Sequence, residues 1–210
     1  MKTWMMTAST ALVLGLASPA LAQTHEASSG ATAAPAQSEP SLIDRLINVP
    51  FVQNWNTWGL SASPRPHPAE GVTGGEALTI NVARAGDPWS VGAVMINTGE
   101  ITTGDVLLLG IWIRAERLPE GVTETTIPLM MLEGNSEPKV RLVEASNVAI
   151  GTDWQMIYAS GIATTDVAPG DSSIILQLGQ AAHRLELGPA LLLDFGPDYD
   201  PVRLPRNPDR

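Results

Sequence analysis

The chain of 210 residues contains no cysteine. That excludes disulfides, a thiol nucleophile and thiolate metal ligands. It also excludes a lipid-anchored export signal, which needs a cysteine at the cut. Stability must come from packing, which a domain of this size can supply. Histidine is scarce: His25, His67 and His183 lie far apart. No H-E-x-x-H and no glycine-rich phosphate loop is present. The nearest approach to G-x-S-x-G, Gly59-Leu60-Ser61-Ala62-Ser63, lacks the last glycine. A pair of carboxylates, as in glycosidases, is the catalytic option left. Asp198 and Asp200 sit on a proline-rich tail, a poor platform for precise geometry. The expectation is a protein that is not an enzyme. Basic residues are few, 12 against 22 acidic, and the net charge of −10 opposes nucleic acid and anionic lipid as partners. The acidic residues are scattered, as solubility alone would require. No run is apolar for long enough to cross a bilayer, so no transmembrane segment is expected.

What is present begins with an export pattern. Lys2 precedes the apolar stretch Ala11 to Ala17, and Ala20-Leu21-Ala22 is a small-x-small cleavage site. A signal peptide over residues 1–22 is therefore expected, cut after Ala22, with a periplasmic or extracellular destination. Gln23 to Pro40 is rich in Ala, Ser, Thr and Pro and reads as a disordered linker. Ser41 to Ile47 could be one short helix or the lead-in to a first strand.

From there the pattern is β. Alternating segments run over Ala77–Arg84, Ser90–Ile96, Val106–Glu116, Thr125–Glu133, Val140–Ile150, Trp154–Thr165, Ser173–Gly179 and Arg184–Phe195. Gly-Gly and Gly-Asp turn formers separate many of them: Gly74-Gly75, Gly86-Asp87, Gly104-Asp105 and Gly170-Asp171. No amphipathic helix of three turns competes. Eight or nine short strands over residues 41–196 predict an all-β, two-sheet antiparallel sandwich or a barrel. Residues 197–210, with Pro197, Pro201, Pro205 and Pro208, form a proline-rich tail that is expected to be extended and partly loose.

Val106 to Glu116 organises the site. Leu107, Leu109, Ile111 and Ile113 share one face of that strand and belong in a core. The other face carries Leu108, Gly110, Trp112, Arg114 and Glu116, an indole beside a guanidinium next to open space. Beyond the signal, five tryptophans outnumber the two tyrosines and two phenylalanines. Indole faces stack on the C–H faces of sugar rings. Trp154, in step with Met156 and Tyr158, is expected in the core. Trp55 and Trp58 could cap an end of the sandwich, and Trp89 sits at a strand entry, open to solvent.

The order of pieces carries a resemblance: Gly74-Gly75-Glu76-Ala77-Leu78, then Asp87-Pro88-Trp89-Ser90-Val91, Thr102-Thr103-Gly104-Asp105 and Leu109-Gly110-Ile111-Trp112-Ile113-Arg114-Ala115. Asp153-Trp154, Leu176-Gln177-Leu178-Gly179 and Leu185-Glu186-Leu187-Gly188-Pro189 follow. Over about Asn48 to Gly196 this resembles the jelly-roll carbohydrate-binding modules attached to xylanases and other glycoside hydrolases, within the galactose-binding-like superfamily. The resemblance implies a jelly roll that binds a polysaccharide or oligosaccharide on a sheet face or at its end loops. Trp112, Arg114, Gln177 and Trp89 become the candidate ligand-binding residues, with Gln177 on a strand neighbouring that of Trp112. It implies no required cofactor. A structural calcium is implied, with Asp194 as one ligand, but Phe51-Val52-Gln53 offers no carboxylate at the other place. Gly92 stands where such modules often have glutamine, and Val94 and Ile96 beside it are apolar. Those residues, with Leu108, keep open the alternative of an envelope structural or protein-interaction sandwich with a protein partner.

Overall fold

A computed structural model describes residues 40–208; the expected signal peptide and nearly all of the linker lie outside them. The strands are β1 (Asn56–Trp58), β2 (His67–Pro68), β3 (Glu76–Val82), β4 (Gly92–Asn97) and β5 (Val106–Arg117). Then come β6 (Thr125–Gly134), β7 (Arg141–Ile150), β8 (Gln155–Ile162), β9 (Ser172–Gln177) and β10 (His183–Asp194). They form two five-stranded antiparallel sheets among the described residues. The first has the order β1-β4-β9-β6-β7 and the second β2-β3-β10-β5-β8. Of the two architectures that the alternation predicts this is the sandwich, as the resemblance to jelly-roll modules implies. The two strands that the sequence did not announce, β1 and β2, are three and two residues long. Segments so short cannot display a period of two.

The core lies between the sheets, and its lining follows from alternation. Leu107, Leu109, Ile111 and Ile113 of β5 are fully buried, as are Ile80, Leu185, Leu187 and Leu192 beside them. Ala93, Met95, Ile174, Leu176, Met130 and Leu132 of the first sheet belong to the same cluster. Each large aliphatic side chain so buried contributes roughly 1.5–3 kcal/mol. Gly74 and Gly75 take φ of 84° and 70° in the β2–β3 connection, a conformation that glycine reaches without strain. No helix of the described residues is long and apolar enough to cross a membrane.

Of the two readings of Ser41 to Ile47, helix or strand lead-in, the helix is absent, and Leu46 makes an isolated bridge to Leu193. Three other expectations change at the second sheet. The tail is not loose as far as Asn207. Leu204 is 5% exposed and joins Val106, Leu108 and Leu193 in a second cluster, with Leu46, Tyr158, Phe195 and Tyr199 packed against it. The Asn207 carboxamide then accepts from Tyr158 N–H at 2.8 Å and donates to Tyr158 C=O at 2.7 Å. It thus occupies, on the edge strand β8, the place of another strand's backbone, which shields an edge. Leu108 is therefore covered and offers no partner surface. Trp154 is not in the core either. In β8 it is Ile157 and Ala159 that point inward. Met156 and Tyr158 pair with outward Trp112 and Gly110.

Candidate functional site

The four candidate ligand residues divide between the two outer faces. Trp112 and Arg114 lie on the outer face of the second sheet. Gln177 belongs to β9 in the first sheet, so it does not neighbour the strand of Trp112. The strand order defeats that expectation: β5 is flanked by β10 and β8.

On the second sheet Arg114 is already engaged. It pairs directly with Glu186 of β10 and donates from Nε to Glu186 Oε2 at 2.5 Å, with a second contact from its terminal nitrogen. Its guanidinium lies 4.9 Å from the Trp154 ring centroid, a cation–π geometry. Glu186 is only 7% exposed at its side chain, against 31% for Arg114. On its other side stands His67, with Nε2 3.5 Å from Glu186 Oε1 and 3.0 Å from Thr79 Oγ1. His67, Glu186 and Arg114, from β2, β10 and β5, thus pair their polar groups with one another, and the Trp154 ring from the loop before β8 lies against the guanidinium. The β2–β3 connection lies close over this face. A side chain at Gly188 would strike Val72 and Trp112, and one at Gly71 would touch Trp154. The Nε1 atoms of Trp112 and Trp154 are both buried without a protein partner.

The outer face of the first sheet is built differently. Its register aligns Trp58, Gly92, Gln177, Leu129 and Ser146 in one row across the five strands. Asn56, Val94, Ile175, Met131 and Glu144 form the next row. Gly92 is explained by this arrangement. Even a single Cβ there would overlap the six-membered ring of Trp58 and the Leu176 carbonyl. The missing side chain lets an indole lie against the sheet. Trp58 Nε1 donates to the Trp89 carbonyl at 2.8 Å, which ties the short turn Pro88–Ser90 to the ring. Trp89 itself is 61% exposed. Two of the candidates, Gln177 and Trp89, thus meet here around a third residue, Trp58, that sequence reasoning left as an end cap. The signal was Gly92 itself, a glycine inside an otherwise β-rich run.

Elsewhere the polar groups are structural. His183 is 5% exposed; its Nδ1 lies 2.8 Å from Thr125 Oγ1 and its Nε2 3.1 Å from the Leu178 carbonyl. Burial pushes its pKa below the ordinary value, which keeps the ring neutral. A cavity of about 690 Å3 opens beside Leu118, Val122, Thr125 and Ala182, and no aromatic ring lines it. Asp194 accepts from Gly196 N–H at 2.7 Å. Its carboxyl is pushed above the usual range, first by burial and further by neighbouring Asp105, while Arg45 acts the other way. Asp105 accepts from Thr102 N–H at 2.7 Å. Among the described residues no three His, Asp or Glu side chains gather to hold a metal ion. Calcium takes six to eight oxygens; Asp194 and Asp105 would offer two carboxylates, and Arg45 acts on Asp194 as a competing cation.

These features define a two-sheet jelly roll with an aromatic-edged outer face, the fold of carbohydrate-binding modules. No protein-family model and no curated protein matches the chain. Among solved structures, the second N-terminal cellulose-binding domain of Cellulomonas fimi β-1,4-glucanase C is similar, at 19% identity. The match covers 75% of this chain and 96% of that one, with a TM-score of 0.52. The first N-terminal cellulose-binding domain of the same enzyme matches at 18% identity, over 70% of this chain and 91% of that one, with a TM-score of 0.50. At such identities the likeness is one of fold.

Proposed function

We propose that this protein is a secreted, non-catalytic carbohydrate-binding module that holds a plant- or microbe-derived glycan on the outer face of the first sheet. One observation carries the reading: Trp58 laid against Gly92, with exposed Trp89 at its edge and Gln177 beside it on the next strand. An indole plane supplies stacking area, and a carboxamide supplies a donor and an acceptor for hydroxyls. The fold shared with two cellulose-binding domains supports it. The second sheet is a weaker candidate, because its guanidinium is paired and its outer face is partly covered by chain.

The test is a glycan array followed by titration. The full chain should bind a polysaccharide without releasing reducing sugar. Trp89→Ala should weaken binding about tenfold, as loss of an exposed stacking ring does, and should leave the melting temperature unchanged. Normal affinity in that variant would remove Trp89 from the site. Export is part of the proposal and rests on Ala20-Leu21-Ala22. N-terminal sequencing of the secreted form should begin at Gln23, and an intact Met1 would refute it. The second reading, a protein-interaction sandwich, is favoured by Val94, Ile175 and exposed Ile96 on the same face. An array with no glycan bound would favour that reading.

A further inference from the structure

The middle of the proposed face departs from what a fully hydroxylated sugar chain needs. Stepping inward from Trp58, the strands present part-exposed Val94, Ile175 and Leu129 beside buried Met131, with Gln177 among them and Asn56 on the edge strand as hydrogen-bonding side chains. Neighbouring strands lie about 4.8 Å apart, so this apolar middle is about as wide as two sugar rings. A hydroxyl pressed against it gives up water and gains no partner, which costs free energy. A methyl group in the same place gains from burial. Charge narrows the ligand further. Beyond the apolar middle stand Glu133 and Glu144, and Arg141 is shared between them, at 3.7 Å from Glu133 and 2.8 Å from Glu144. An anionic sugar would meet carboxylates there and a cation that is already paired.

We propose that this face selects a neutral glycan whose hydroxyls are in part O-acetylated. One ring stacks at Trp58 and Trp89, and acetyl methyls of the adjoining sugars seat on the part-exposed Val94, Ile175 and Leu129. The inference rests on the glycan reading above. It differs from plain sugar stacking because it assigns work to the aliphatic residues. Gln177 then serves the unsubstituted hydroxyl nearest the indole.

The test titrates the full chain with acetylated glucomannan and acetylated xylan, and with the same polymers after mild alkaline deacetylation. The acetylated form of at least one polymer should bind about tenfold more tightly, the gain expected for two seated methyl groups. Val94→Thr keeps the β-branched shape and places a hydroxyl among the methyl seats. It should shrink that ratio to about twofold, and because Val94 is part-exposed the new hydroxyl can reach water and the melting temperature should change little. Ile175→Thr is the second variant should Val94→Thr fold poorly. Equal or tighter binding of the deacetylated polymers overturns the acetyl preference and leaves the glycan reading intact. Failure to bind either polymer in either form overturns the acetyl proposal, and the glycan reading falls with it only when the array also shows no glycan bound. A sedimentation profile in which the wild type self-associates and Val94→Thr does not overturns both readings of this face, because a second copy then covers it.

Discussion

Replacing Arg114 by alanine is expected to lower the melting temperature by about 4–8 °C and to leave glycan affinity unchanged. Glu186 is 7% exposed, and Arg114 is the residue that donates to its carboxylate. His67 stands 3.5 Å away, but it carries charge only when protonated. Breaking a buried pair by removing one partner costs roughly 3–5 kcal/mol, because a charge is left uncompensated. Arg114 is about a third exposed, so water would screen part of that cost. A loss of about 2 kcal/mol is therefore expected. The Arg114→Leu, Glu186→Leu double variant should recover most of the stability, since neither charge is then stranded. A double variant as unstable as the single one would show that the guanidinium acts through its packing on Trp154 instead. Weakened glycan binding with a normal melting temperature would place Arg114 at the ligand and move the site to the second sheet.

The contrast between the two faces shows what was legible in the sequence. Period-two alternation located the eight long strands and sorted their core residues, because each segment has enough residues to show the pattern. Leu107, Leu109, Ile111 and Ile113 all point inward as alternation requires. Alternation also put Trp112 and Arg114 on a non-core face. It could not say what stands across from them. Glu186, outward between Leu185 and Leu187, is 72 residues from Arg114. Only the order β3-β10-β5-β8 brings the two together. Strand order also decides that Gln177 faces away from Trp112. Its step with Met156 and Tyr158 points Trp154 to the core. All three proved to share the outer side, and Ile157 and Ala159 set the inner one. The tail misled for a different reason. Its prolines bar it from a sheet ladder, but Leu204 still packs and the Asn207 side chain makes the two edge bonds in place of backbone.

Trp58→Ala is expected to weaken glycan binding about 30-fold, roughly 2 kcal/mol, the range of a hot-spot tryptophan. Trp58 is part-exposed and sits on a three-residue edge strand, so its loss should perturb the core little. Gly92→Ala should produce a similar loss by another route. The new methyl overlaps the Trp58 ring and the Leu176 carbonyl. The ring must leave the sheet, and β4 must shift against β9, at a cost of about 1–3 kcal/mol in stability. The two changes share one structural consequence for binding, so their binding effects should not add. Once Trp58 is alanine, Gly92→Ala should reduce affinity little further, although it still lowers the melting temperature through the Leu176 contact. Additive losses in binding would mean that Gly92 meets the ligand directly, with its bare backbone as part of the floor. Unchanged affinity in Trp58→Ala would end the case for this face, because the remaining edge aromatic, Trp89, would then have no platform beside it.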